Sequence, residues 1–292
     1  MTSLSSNTSS HWAIDEILCW FLRGTAAIAG IIVMLIVVFL IMEALPILRH
    51  VGLLPFFTDP SWHPAEGFYN LTPMLWGTLF AMTGSVLIAT PLGILSAVFC
   101  HYYAPPTLAR PYRRLIELLA GIPSVVYGFW GLVVLVPLIG EIHPPGPSLL
   151  AGILILTIMV LPTIALMADA GLANVPQQYL RGAAALGLPR WATIRGVVFP
   201  AAKSGLFTGV ILETGRAIGE TMAILMVCGN VVQTPSSLFD PIRTLTANIA
   251  LEMAYALGDH RAALFVSGLV LMGMIVALAI AAEWISRGRI YG

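Results

Sequence analysis

Six stretches of the chain are apolar for long enough to cross a bilayer, near residues 24–42, 73–100, 118–140, 148–168, 205–231 and 262–282. A spanning helix needs about 20 such residues. Helices also satisfy their own backbone groups in lipid, so the pattern predicts six transmembrane α-helices rather than barrel strands. Five stretches contain no Asp, Glu, Lys or Arg, whereas 205–231 contains Glu213, Arg216 and Glu220. Pro91, Pro123 and Pro162 fall inside stretches and are expected to kink those helices and free backbone carbonyls.

The connecting segments differ in character. Residues 43–72 are rich in Pro, Phe and Trp, and the third and fourth stretches are joined by a short turn, EIHPPGPS. Residues 232–261 include a helix-like piece over 242–257, opened by Asp240–Pro241. In the segment 175–203, Pro176 suits the first turn of a helix, and the run 177–186 is built mostly of good helix formers. Gly187 stands where a left-handed residue ends that helix. Pro189 starts a second one to about Phe199, and Pro200 stops it before the membrane. The spacing therefore predicts helix, glycine turn, helix, with small alanines at the bend. Such a bend either enters a groove on another protein or packs on its own helix ends.

Basic residues fix an orientation, because cytoplasmic loops collect Lys and Arg. With the N-terminus inside, ten fall inside (Arg23, Arg110, Arg113, Arg114, Arg181, Arg190, Arg195, Lys203, Arg287, Arg289) and three outside (Arg49, Arg243, Arg261). Both termini are expected in the cytoplasm. The first residues, MTSLSSNTSS, show no basic region and no cleavage site, so no signal peptide is expected.

Composition sharpens this picture. The chain of 292 residues is 58% hydrophobic and 10% charged, against about 25% charged for soluble domains. That excludes a soluble enzyme and a disordered chain. The zero net charge argues against a general nucleic-acid binder. Cys19, Cys100 and Cys228 are odd in number and widely spaced, which fits small buried hydrophobes rather than disulfides or zinc. The six histidines never pair at ligand spacing, so no metal is expected. No Ser–His–Asp or dual-carboxylate arrangement stands out in a span. Lys203, the only lysine, is preceded by Ala202, with Val197 where a P-loop needs its first glycine, so this chain carries no P-loop.

The charged span is the candidate for chemistry. On a continuous helix, Glu213, Arg216 and Glu220 fall within about 60° of one another. Counted from Gly205, Arg216 lies about 16 Å deep. A lipid-facing Arg at that depth costs at least about 2.5–3.5 kcal/mol, so the three charges should face protein or water and pair. A guanidinium fork matches two oxyanion oxygens, which suggests an anion pathway. The alternative is an Arg216–Glu220 bridge that only tolerates burial. Gly215 and Gly219 form a small-xxx-small pair that would admit a close helix. In span three, Glu117, Gly121, Ser124 and Gly128 are expected on one face, with Glu117 bridged to Arg113 or Arg114. Ser124 and Tyr127 would hydrogen-bond either an anion or backbone freed by Pro123. Thr244, Thr246 and Asn248 would line an entry, near free N–H groups at a helix start by Ile242, or lie on a surface helix.

The small residues before Gly187, then Val197, Phe199 and Pro200, resemble the EAA–G–I–LP loop of binding-protein-dependent ABC importer permeases. Arg181 stands at the motif's Glu and Gly182 at its first Ala. The stretches ELLAGIPSVVYGFWGL (117–132), IMVLPTIALMADAGLANVP (158–176), GRAIGETMAILMVCGN (215–230) and RTLTANIALE (243–252) resemble high-affinity phosphate importer permeases, closer to the PstC type than to PstA. The resemblance covers about 71–285. It implies an all-α integral membrane protein with the type I ABC importer permease fold. It divides the chain into 1–70 (N-terminus, first span, outer loop), a core over 71–285 and a cytoplasmic tail over 286–292. It further implies a bacterial plasma-membrane permease subunit of a phosphate importer, itself non-catalytic. The implied partners are a PstA-like permease, two copies of an ATPase carrying ATP and Mg, and an extracytoplasmic phosphate-binding protein. Arg181, Gly182, Ala183, Ala184, Gly187 and Trp191 would meet the ATPase, and the Arg216–Glu220 pair would serve transport. The rival reading is a stand-alone secondary transporter or channel for an oxyanion. Such folds often show matched halves, whereas the second span lacks the fifth span's charges.

Overall fold

A computed structural model describes residues 8–287; the first seven residues and, of the expected tail over 286–292, residues 288–292 lie outside the described residues. Helices run in the order α1 (Thr8–His50), α2 (Pro55–Thr58), α3 (Thr72–Val98), α4 (Pro106–Ala120), α5 (Ser124–Trp130), α6 (Val136–Ile142), α7 (Leu149–Ala173), α8 (Gln177–Ala185), α9 (Arg190–Thr193), α10 (Phe199–Gly219), α11 (Met222–Val227), α12 (Leu245–Glu252) and α13 (Gly258–Arg287). Strands β1 (Trp62–His63) and β2 (Phe68–Tyr69) pair antiparallel between α2 and α3. Six helical segments are long and apolar enough to span a membrane: Leu18–His50, Thr72–Tyr103, Ser124–Ile142, Leu149–Ala173, Arg190–Gly219 and Gly258–Trp284.

Two boundaries differ from the sequence pattern. The third span starts at Ser124, not near 118, because α4 ends at Ala120 and the chain turns through Gly121–Pro123. Pro123 disfavours helical backbone in the residue before it. The turn separates Glu117 from Ser124 and Gly128, so the expected shared face does not exist. Arg113 bonds Asp169 at 2.9 Å rather than Glu117. The fifth span is displaced more strongly. It starts at Arg190, continues through Pro200 and ends at Gly219. Pro200 does not stop it, because a wide π turn over Ile194–Val198 precedes α10 and Pro200 sits in that helix's first turn, where its missing N–H costs nothing. Pro91 and Pro162 likewise lie within unbroken helices.

Helix α7 is the hub, and glycines bring its neighbours close. A Cβ on Gly84 would stand 2.7 Å from Ile153, and one on Gly93 2.7 Å from Ile164, so α3 lies almost backbone-to-backbone on α7. Helix α10 approaches α7 from another side, antiparallel, at Gly171 against Gly205 and Gly209 against Met167. Gly128 on α5 meets the Ala223 backbone of α11. Helix α1 joins the bundle through α13, by the Phe39–Phe265 ring contact at 5.6 Å and the Arg261–Glu43 ion pair at 3.6 Å. At the bundle end opposite the α8–α9 loop, Ile47, Phe56, Trp62, Tyr69, Leu71 and Leu245 form a second core, which seats the hairpin and α12.

Candidate functional site

Arg216 lies one turn before the end of α10. Its side chain is 42% exposed, on the side where Ser204, Thr208, Leu212 and Gly219 are also exposed. No described residue of this chain comes within 4 Å of a Cβ built on Gly215 or Gly219, so the small pair meets no helix of its own subunit. Glu213, one turn earlier, is 3% exposed, and its Oε2 lies 3.9 Å from Arg216 Nη1. That oxygen accepts no hydrogen bond from any described residue. Continuing the α7–α10 register from Gly171–Gly205 and Gly209–Met167 places Thr163 level with Glu213, and the Thr163 hydroxyl is also unpartnered.

Glu220 occupies a different place from the one the sequence pattern gave it. The helix stops at Gly219, and Glu220 is extended (φ −68, ψ 126). Its Oε1 accepts from the Ala223 N–H at 3.2 Å, and its carbonyl accepts from Thr246 Oγ1 at 2.9 Å. The break removes the common face: Arg216 pairs with Glu213 three residues back, not with Glu220 four ahead. Its depth is set by the end of α10 rather than by a count from Gly205. Glycine is a poor helix former, and Glu220 is engaged by the amide of the next helix, which explains a break at this point.

The remaining sequence candidates are distributed unevenly around this break. Tyr127 is buried and donates its hydroxyl to Leu119 O at 2.7 Å, tying α5 back to α4; Ser124, half-buried, begins α5. Of the two expected roles for Tyr127, the structure shows the backbone one. Thr244 caps α12 by accepting from Ala247 N at 3.3 Å, so that helix starts at Leu245 rather than near Ile242. Thr244 is 3% and Asn248 0% exposed, so neither lines an open entry.

The most connected polar group was not picked out from sequence. Arg243 donates to Asn230 O (2.9 Å), Asn248 Oδ1 (3.1 Å) and Glu252 Oε1 (2.7 Å). The other Glu252 oxygen accepts from Trp62 Nε1 (2.9 Å) and lies 2.8 Å from His260 Nε2. Four segments are thereby joined: the β-hairpin, the strap after α11, α12 and α13. The signal lay in RTLTANIALE, where Arg243 and Glu252 are nine residues apart, but the partner Trp62 is 190 residues away.

At the opposite end, α8 and α9 flank Gly187, whose φ of +67 is the left-handed value expected there. The Gly187 and Leu188 N–H groups close the turn on Ala184 O and Ala183 O. Arg181, Gly182, Ala184, Gly187 and Trp191 are exposed, and Ala183 is buried. Leu186 (79% exposed) and Trp191 (56%), with Tyr179 and Leu188, give this end an exposed apolar tip, with Trp191 at the very start of the fifth span. Among the described residues no group of three or more His, Cys, Asp or Glu is placed to hold a metal.

Comparison with known proteins agrees with this architecture. The chain is 40% identical over 240 residues to the probable ABC transporter permease protein YqgH of Bacillus subtilis, covering 80% of this chain and 78% of that one. It is 38% identical over 242 residues to the phosphate transport system permease protein PstC of Mesorhizobium japonicum, covering 76% and 73%. Among solved structures, an inward-facing MetNI methionine ABC transporter chain aligns with TM-score 0.62 at 20% identity, over 75% of this chain and 95% of that one. A bacterial ABC transporter involved in alginate import aligns with TM-score 0.59 at 15% identity, over 94% and 99%. These two likenesses establish the type I ABC importer permease fold alone. Residues 89–291 match the family described as binding-protein-dependent transport system inner membrane component. With that match over most of its length, this multi-pass membrane chain belongs to the binding-protein-dependent transport system inner membrane component family.

Proposed function

We propose that the chain is one of two permease subunits of an ATP-driven inorganic phosphate importer, and that Arg216 is its phosphate contact. The observation that carries this is the exposed guanidinium at the end of α10, on a helix side that its own subunit leaves open. A cation on a spanning helix is costly unless it meets protein or water. Its planar donors match two oxygens of a phosphate. The similarity to PstC proteins supports phosphate as the oxyanion.

In this reading a PstA-like permease covers the Gly215–Gly219 side, and the pathway runs between the two subunits. Both termini and the α8–α9 tip lie in the cytoplasm of a bacterial cell. The tip inserts Leu186 and Trp191 into an ATPase subunit, of which there are two, each binding ATP and Mg. A phosphate-binding protein delivers substrate at the end that carries α12. Glu213, partly neutralising Arg216 in this conformation, competes with phosphate for the guanidinium and so favours release. Glu220 acts by fixing the backbone break that sets where Arg216 stands.

Labelled-phosphate uptake in intact cells tests the proposal. A hydrogen bond to a charged group is worth about 1.5–3 kcal/mol, so Arg216→Gln should lower uptake roughly tenfold or more, with the complex still assembled. Normal uptake by that variant removes Arg216 from the pathway. Uptake by this chain alone in liposomes, without ATPase or ATP, would establish a secondary transporter instead.

A further inference from the structure

Helix α10 carries a second feature on another side from Arg216. A crevice of about 830 Å³ lies between α10 and α3, lined by Ile94, Phe199, Pro200, Leu206, Phe207 and Val210. Arg195 and Lys203 stand on its wall near the α8–α9 end, and no acidic side chain lines it. Both cations are exposed, and neither makes an ion pair with any described residue. Towards the middle of the bundle the crevice reaches Thr90, whose buried hydroxyl has no hydrogen-bond partner.

We infer that this crevice is a binding site for an anionic phospholipid of the cytoplasmic leaflet. At about 100° per residue, Lys203 and Arg216 are about 140° apart around α10. If the Arg216 side faces the second permease, as the function proposed above requires, the crevice opens away from the pathway, towards lipid. An acyl chain fits the apolar walls. The headgroup phosphate then meets Arg195 and Lys203, whose stems lie along the wall while their charged ends reach the interface. A zwitterionic lipid gains less here, because its own cation faces two others. The occupant would rest on the helix that joins the coupling tip to Arg216, so leaflet composition would reach the transport cycle through α10.

The test uses the assembled importer in nanodiscs of phosphatidylcholine, doped with a diazirine-tailed phosphatidylglycerol or with the matching phosphatidylcholine probe. Adducts are mapped by peptide mass spectrometry. Residues 199–210 should be labelled preferentially by the anionic probe. Arg195→Gln or Lys203→Gln should each cut that preference about fivefold, the equivalent of about 1 kcal/mol per basic residue at an anionic surface. Arg190→Gln, outside the crevice, serves as control and should leave the preference unchanged. Equal labelling by both probes overturns the proposal. So does an unlabelled crevice in which Phe207→Cys cross-links to the other permease, because a protein helix then fills it. The readout needs no phosphate, so a failure of uptake and a failure of lipid binding remain separate results.

Discussion

Glu252→Gln is the sharpest probe of how the hairpin end of the bundle is held. The carboxylate is 9% exposed and takes contacts at 2.7 Å from Arg243, 2.9 Å from Trp62 and 2.8 Å from His260. Glutamine keeps the shape but replaces one acceptor oxygen by a donor nitrogen. Either orientation sets that nitrogen against a donor, the Arg243 guanidinium or the Trp62 indole N–H. Arg243, 18% exposed, also loses its counter-charge. Breaking one side of a buried pair costs about 3–5 kcal/mol. At about 2–4 °C per kcal/mol, the melting temperature of the purified protein should fall by roughly 6–20 °C. Intrinsic tryptophan fluorescence reads this directly, since Trp62 is in the network. Arg243→Gln combined with Glu252→Gln should cost clearly less than the two single losses added, because each single change already breaks the same contact. A fall under about 2 °C with additive effects would show that the network is not what ties α12 to the hairpin and α13.

Gly215→Leu and Gly219→Leu should leave the fold of the isolated subunit unchanged, since nothing of its own lies within 4 Å of either position. Each should reduce co-purification of the proposed second permease, and unaltered assembly would place that partner elsewhere. Gly128→Ala should destabilise the subunit itself by about 1–3 kcal/mol, because the added Cβ stands 2.7 Å from the Ala223 Cα and backbone has little room to give; an unchanged melting temperature would contradict this packing. Asp240 accepts from the Ser236 hydroxyl and from the Ser236 and Ser237 amides, which hold its carboxyl below the ordinary value of 3.8. A lowered folded-state value stabilises fully above the ordinary range and is lost as pH falls through the lowered one. Hydrogen-exchange protection at Ser236 and Ser237 should therefore hold from pH 7 to pH 5 and drop only below about 3.8; loss already at pH 5 would refute the assignment.

The six spans were legible because uninterrupted apolar runs of that length have few other uses. The α8–α9 bend was legible too, since Gly187 is a residue type that left-handed backbone favours. The ends of the fifth span were not. Hydropathy rewards the run 222–228 as strongly as the helix before it, and nothing in composition marks Glu220 as the point where the backbone turns. Pro200 misled in the other direction, because a proline reads as a stop unless the turn before it is already widened. The Arg243 network was illegible for a third reason. Trp62, Glu252 and His260 come together only after four separate segments have packed, and no spacing along the chain records that.

The unbroken run from Arg190 to Gly219 is 30 residues, about 45 Å at 1.5 Å per residue. One continuous helical rod, widened by the π turn at Ile194–Val198, thus has the tryptophan-bearing tip near one end and the guanidinium near the other. Tilting such a rod by about 5° about its base displaces the far end by about 4 Å, more than the length of a hydrogen bond. On the function proposed above, a nudge on the tip from the ATPase would in this way be enough to make or break the Arg216 contact with phosphate some 40 Å distant, with no relay of intermediate side chains.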